Sequence, residues 1–227
     1  MIIGGLGQAV ITYLSLRALD YLPVGPLAFL FYTYPAWVAA IAAVTGKDLL
    51  TLPRIAALVI AMTGIVVMVG MPAAAALNTT GVILALGTAL LYAVYLPALH
   101  NAQEGIPPLS ASFFLVIGVL TAFFSATALS GKLQAPSTAD MWGLVILLAV
   151  LSTVIAFVTL VAGLRVLGPI RTSIVSTIEP FFTTLLGVTF LRESFTTATI
   201  TGGILIAAAV ILLQLTGRER MTVEAAG

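Results

Sequence analysis

The sequence contains no cysteine and a single histidine, His100, among 227 residues. Without thiols there can be no disulfide, thiolate metal site or cysteine nucleophile, and one histidine cannot build a histidine-based metal or acid–base cluster. Charge is almost as scarce. Charged residues make up 7% of the chain, where soluble domains carry about a quarter. Nine Lys+Arg stand against eight Asp+Glu, a net charge of +1, so no charged field points to nucleic acid or another polyelectrolyte. No phosphate-cradling loop with a following lysine is present, which excludes ATP as a fuel within this chain. What is abundant is apolar: 61% of the residues, with a mean hydropathy of +1.20. A water-soluble globule of this size could not hide so much apolar side chain. Soluble enzyme, nucleic-acid binder and disordered regulator are excluded, and an all-α polytopic membrane protein remains.

A helix needs about 20 residues to cross ~30 Å of hydrocarbon. Eight runs meet or approach that length: 2–19, 24–45, 54–71, 81–99, 109–130, 141–164, 170–191 and 198–216. They are continuously apolar, unlike the alternating segments of about 10 residues in barrel strands. Leu22-Pro23, Gly46-Lys47-Asp48, Met71-Pro72, Pro107-Pro108, Gly131-Lys132, Gly168-Pro169 and Arg192-Glu193 punctuate them. The first run has no basic segment before it and no small-residue cleavage site, so it reads as a span and not a signal peptide. Asn78-Thr79-Thr80 matches a glycosylation sequon, but Thr79 or Thr80 capping the fourth span is the preferred reading.

The chain resembles itself at an offset of 145 residues. Pro35 falls on Pro180, Lys47-Asp48 on Arg192-Glu193, Thr51 on Thr196, and Leu6, Leu19 and Leu22 on Leu151, Leu164 and Leu167. The identities are few. The weight lies in the shared order of helix, turn, proline-containing helix, basic–acidic turn ending in threonine, and a further helix. The offset is five spans, an odd number, so the second copy would cross the membrane upside down. Inverted repeats mark alternating-access transporters, with the site between the copies near mid-membrane.

These residues carry a family resemblance. Pro35 followed by Lys47-Asp48 and Thr51, and Glu179-Pro180-Phe181 followed by Arg192-Glu193-Ser194-Phe195-Thr196, resemble the repeat of EamA-type drug/metabolite transporters, as do Gly64 and Gly202-Gly203 in the helices that follow. Asp48 departs from the glutamate usual in that turn. The resemblance covers nearly the whole chain, as the family's third to tenth helices. It implies a five-plus-five inverted-repeat fold of which eight helices are present, and a bacterial inner-membrane exporter or importer of small metabolites with a cytoplasmic C-terminus. Residues 1–71 would be the last three helices of the first copy, 81–216 the five-helix second copy, and 217–227 a cytoplasmic tail. The arithmetic leaves two helices missing before the first run, so the chain alone is expected to be inactive; robust transport by these 227 residues in reconstituted vesicles would refute that.

Glu179 is the acidic residue placed deep within a span. Its ionised form costs about 2.5–3.5 kcal/mol at mid-helix on insertion scales, so it should face protein or water. On a helical wheel, Thr172, Ser176, Glu179 and Thr183 share one face, with Ser173, Thr177 and Thr184 beside them. Pro35 and Pro180 are expected to break their helices structurally. Tyr34 takes the place of Glu179 in the first copy, within the aromatic stretch of Phe29, Phe31, Tyr32, Tyr34 and Trp37. A carboxylate near aromatic faces would suit a cationic or amphipathic solute; ordinary packing and interfacial anchoring is the alternative. Thr88, Tyr92 and Tyr95 share a face of the fourth span, and Gln8, Thr12 and Ser15 a face of the first. The candidate substrate pathway is Glu179, Thr172, Ser176, Thr183, Tyr34, Tyr92, Tyr95, Gln8 and Thr12, and interhelical hydrogen-bond glue is its competing explanation. Lys47-Asp48 and Arg192-Glu193 read as solvated turns. Ala57 with Ala61, and Gly203 with Ala207, read as small-residue pairs for close helix approach.

The leading reading is a secondary transporter, gradient-driven or facilitated, whose partners are a small-molecule substrate and the lipid bilayer. It needs no cofactor, metal or nucleic acid. A passive pore or a non-transporting membrane subunit is the first alternative, although no filter-like loop or charged ring is present. A membrane-embedded enzyme is the second, poorly served by one carboxylate with no histidine nearby. Lys47, Arg54, Arg165, Arg171, Arg218 and Arg220 fall on one face of the membrane and Arg17, Lys132 and Arg192 on the other, which places the first face and the tail in the cytoplasm. A reporter fused after Arg218 should therefore read out as cytoplasmic. A periplasmic signal would overturn the orientation.

Overall fold

The computed structural model describes residues 2–46, 51–70, 78–131, 134–191 and 197–224. Lys47-Asp48 and Arg192-Glu193 lie outside them. The regular elements among the described residues are all helices, with no strand. In chain order the elements are α1 (Ile2–Ala18), α2 (Val24–Phe31), α3 (Tyr34–Thr45), α4 (Leu52–Val69), α5 (Thr79–Ala102), α6 (Pro108–Leu129) and α7 (Ala139–Leu148). A π-helical stretch (Ala149–Ile155) then leads into α8 (Ala156–Ser176), followed by α9 (Glu179–Leu191) and α10 (Thr197–Glu224). Among the described residues four segments are long and apolar enough to cross a membrane: Pro26–Thr45, Thr79–Ala102, Pro108–Leu129 and Ala139–Ser176. Leu52–Met68 and Ile200–Leu212 are shorter apolar helices. The chain is a multi-pass membrane protein.

The helix breaks expected at Pro35 and Pro180 are present, each just upstream of its proline. Run 24–45 divides into α2 and α3 at Tyr32-Thr33, and run 170–191 divides at Thr177-Ile178 between α8 and α9. Proline supplies the cause. Pro35 and Pro180 have no N–H to return to the carbonyl four residues back, and each ring would crowd that carbonyl. In both places the chain turns just upstream, so that proline becomes the second residue of a new helix, where a missing donor costs nothing. Three backbone bonds at each turn match at the 145-residue offset, whereas the bond before them differs: Tyr32 N–H donates to Ala28 O (2.9 Å) and Thr177 N–H to Ile174 O (3.1 Å). Thr33 N–H donates to Leu30 O (3.3 Å), and Ala36 and Trp37 N–H both donate to Thr33 O (3.0 and 3.4 Å). Likewise Ile178 N–H donates to Val175 O (3.2 Å), and Phe181 and Phe182 N–H both donate to Ile178 O (3.1 and 3.3 Å). Proline alone does not dictate such a break, because α5 runs through Pro97 without interruption.

The cap of α5 differs from the expectation, while the punctuation at Gly168-Pro169 is present, each for a local reason. The cap of α5 is Asn78, not Thr79 or Thr80. Its Oδ1 accepts from Thr80 N–H (2.9 Å) and Gly81 N–H (3.3 Å), satisfying two of the donors that a helix start leaves unpaired. In α8, Gly168 takes φ 75°, so Gly168-Pro169 ends one helical stretch and begins the next within that element.

Contacts divide the chain into two units: Met1–Tyr13 with Tyr95–Pro169, and Leu14–Val94 with Ile170–Gly227. In the first, α1 lies against α6 at backbone distance. A methyl added at Gly5 would sit 2.5 Å from Leu115 O and 2.6 Å from Gly118 Cα. Ser112 Oγ donates to Phe157 O across to α8 (3.2 Å), and Leu115, Val161 and Leu164 are buried there.

In the second unit α4 and α10 pair along their length, with Ala57, Ala61 and Ile65 of α4 and Ile206 and Ala209 of α10 fully buried. A methyl on Gly202 would meet Gly64 O at 2.5 Å and Met68 Cβ at 2.7 Å, and one on Gly64 would meet Gly202 O at 2.8 Å. Gly202, not Gly203, therefore makes the close approach to α4; Gly203 instead accommodates the ring of Phe181 from α9. Gly202→Leu should lower stability by about 1–3 kcal/mol through overpacking. Gly87→Ala, with open space around it, should leave stability unchanged or raise it by up to about 1 kcal/mol through helix propensity. Thermal unfolding of the detergent-solubilised protein checks both.

Candidate functional site

The broken helices of the second unit bring one carboxylate and four aromatic rings together. Tyr34 and Glu179 occupy equivalent places, each opening the helix that follows its break. At the end of α8, Thr177 N–H turns to Ile174 O, three residues back, at 3.1 Å. The Ser173 carbonyl, four residues before Thr177, instead accepts the Tyr34 hydroxyl at 3.3 Å. Ser176 also lies within side-chain hydrogen-bonding reach of that hydroxyl. A tyrosine from one break thus caps a carbonyl released by the other, and at 2% exposure it does so away from competing water.

Phe31, Tyr32, Tyr34 and Tyr92 form a continuous ring cluster. Tyr34 and Tyr92 pack edge to face with centroids 4.9 Å apart. Phe31 lies 5.3 Å from Tyr34, 5.5 Å from Tyr92 and 5.8 Å from Tyr32. Each such pair contributes about 0.5–1.5 kcal/mol beyond its buried area. The Tyr32 hydroxyl lies within side-chain hydrogen-bonding reach of the Glu179 carboxylate. Tyr92 lies within electrostatic reach of the same carboxylate. Tyr32 and Tyr34 are buried while Glu179 is exposed, so the acid stands at the open side of buried rings. Tyr92 sits midway along the membrane-crossing Thr79–Ala102, and its neighbour Glu179 shares that depth. Glu179 also lies in the first turn of α9, at the positive end of its own helix.

The other candidate residues are distributed as follows. Thr172 is 5% exposed, and its Oγ1 has no partner among the described residues. Ser176 is half-buried. Thr183 belongs to α9, and its side chain lies outside the described residues. The buried Thr88 hydroxyl returns to Leu84 O at 2.7 Å, a local bond that leaves it little to offer a ligand. Gln8, Thr12 and Tyr95 belong to the other unit, where Gln8 Nε2 donates to Thr12 Oγ1 at 3.5 Å and Tyr95 packs beside Gly7. Tyr32 and Phe31 entered the sequence reading as members of an aromatic stretch and not as site residues. On an unbroken helix, residues 32 and 34 point to nearly opposite sides. The break at Tyr32-Thr33 removes that restriction, and the matched prolines of the repeat were the available signal for it.

The profile described as the EamA-like transporter family matches residues 79–215, more than half of the chain. No protein of curated function matches. A solved structure named "Crystal structure of protein" is similar in fold, with a TM-score of 0.77 and 21% sequence identity over 96% of this chain and 77% of that one.

The Tyr34–Ser173 bond can be tested by itself. Tyr34→Phe should destabilise the protein by about 1–3 kcal/mol, because the buried Ser173 carbonyl loses its donor. Tyr21→Phe, at an exposed position, should change stability by less than about 0.5 kcal/mol. Thermal unfolding in detergent distinguishes the two.

Proposed function

The chain belongs to the EamA-like transporter family, and from that premise we propose that it is a secondary transporter of small metabolites or drugs, gradient-driven or facilitated. Access would alternate between two inverted copies, the first ending within 1–71 and the second spanning 81–216, with 217–227 as a cytoplasmic tail at the inner membrane. Support comes from one observation above the others. A proline-linked break with three backbone bonds in common recurs at Tyr32-Thr33 and Thr177-Ile178. Broken helices at membrane depth are where transporters place their sites, because unwound backbone and half-helix ends offer polar groups that a continuous helix consumes internally. An odd number of spans between the copies supports their inversion.

Glu179 is the centre of the proposed pathway. Thr172, Ser176, Thr183, Tyr34 and Tyr92 accompany it in the same unit. A carboxylate at this depth can exchange a proton or a cationic solute and so couple transport to a gradient, which neutral hydroxyls cannot do. Glu179→Gln preserves shape and hydrogen bonding while removing that exchange. It should reduce gradient-driven uptake by at least about tenfold, a loss of about 1.4 kcal/mol or more. Glu104→Gln, on the exposed turn after α5, should transport normally. Uptake into vesicles at equal membrane expression, with and without a proton gradient, decides the matter. Normal transport by Glu179→Gln would make the carboxylate packing glue.

A further inference from the structure

We infer that the ligand taken at Glu179 is a hydrophobic organic monocation, an alkyl- or arylammonium, held between the carboxylate and the ring cluster of Phe31, Tyr32, Tyr34 and Tyr92. This assignment rests on the transport reading above and names the solute class of the same site.

The chemistry of the surroundings selects the charge. Among the described residues Glu179 pairs with no Lys, Arg or His, and the ion pair present is Arg17–Asp20 at an exposed helix end. A carboxylate at this depth without a protein cation is satisfied by a proton or by a cation that arrives from outside. An anionic solute would meet the carboxylate and the negative faces of the rings with no compensating cation, which opposes its binding. A zwitterion would satisfy its ammonium and leave its own carboxylate against the same groups.

The rings select against a small inorganic cation. Their centroids lie 4.9 to 5.8 Å from one another, and Tyr32 reaches the carboxylate itself. An ammonium at Glu179 therefore comes close to ring faces of the same cluster. Alkylammonium groups are weakly hydrated and gain attraction at aromatic faces, whereas a compact metal ion prefers several oxygen ligands. Here one carboxylate is backed by hydrocarbon and π-surface. The exposed face of Glu179 leaves the approach open, while burial of Tyr32 and Tyr34 holds the rings in place before a ligand arrives, which reduces the cost of ordering them on binding.

The test compares three probes on the detergent-solubilised protein by equilibrium calorimetry: benzyltrimethylammonium, its neutral isostere neopentylbenzene, and the anion 3-phenylpropionate. Benzyltrimethylammonium should bind at least about tenfold more tightly than the isostere, with 3-phenylpropionate weaker than both. Glu179→Gln should remove that preference. Tyr92→Phe, which keeps the ring, should retain affinity within about threefold, whereas Tyr92→Leu should lose about fivefold or more. Equal binding of the cation and its isostere by the unaltered protein, or tighter binding of the anion, would overturn the assignment without any variant having to fold. Binding is read without a gradient. Loss of the cation preference alongside Glu179-dependent transport rejects the solute class alone. Cation binding alongside Glu179-independent transport rejects the transport role alone.

Discussion

A proline in a membrane-crossing helix leaves one carbonyl without a donor, and the bilayer has no water with which to replace it. The second unit is built around two such positions. At each, the chain turns three residues before proline and restarts as a new helix. The turn between α8 and α9 diverts the Thr177 N–H to Ile174 O, and the Tyr34 hydroxyl takes up the Ser173 carbonyl. From this single exchange follow the placement of Glu179 at the start of α9, its approach to Tyr32, and the closure of Tyr34 on Tyr92. An unbroken helix would have carried Ser176 and Glu179 on one stripe and sent Tyr32 and Tyr34 to opposite sides.

The packing beneath the site is of a different kind. α4 and α10 approach until the Gly64 and Gly202 backbones meet, and a methyl on either would collide with the other's carbonyl. With no hydrophobic effect to press helices together inside lipid, such close van der Waals contact is what remains to hold them. One residue on, Gly203 admits the ring of Phe181, the neighbour of Pro180. The glycine pair of α10 thus serves two helices at once, fixing α4 on one side and the first turn of α9 on the other. The polar centre is supported by small residues that carry no polarity themselves.

Span positions were legible because they depend on a quantity that sums along the chain: a long enough run of apolar residues with no charge. The eight runs each correspond to helical segments, and four meet the length and hydropathy of a crossing helix outright. The cap of α5 was less legible. Asn78, Thr79 and Thr80 can all cap a helix, and only the backbone geometry selects the Asn78 side chain. The stripe of Thr172, Ser176, Glu179 and Thr183 was read from a wheel that assumes an unbroken helix. The turn at Thr177-Ile178 interrupts it, and neighbours from other elements replace the wheel as the reason Glu179 and Ser176 belong to one site.

The sequence by itself determined the membrane class, the helical spans, the 145-residue recurrence and the residue types available for chemistry, since these follow from composition and local pattern. Tertiary structure decided which prolines break a helix. Pro97 and Pro180 both remove one backbone donor, yet α5 continues through the first and α8 ends before the second. The local cost of the missing bond is the same. What differs is that the break before Pro180 gives a released carbonyl to a buried tyrosine 139 residues away in the chain, a compensation that no window of sequence around either proline contains.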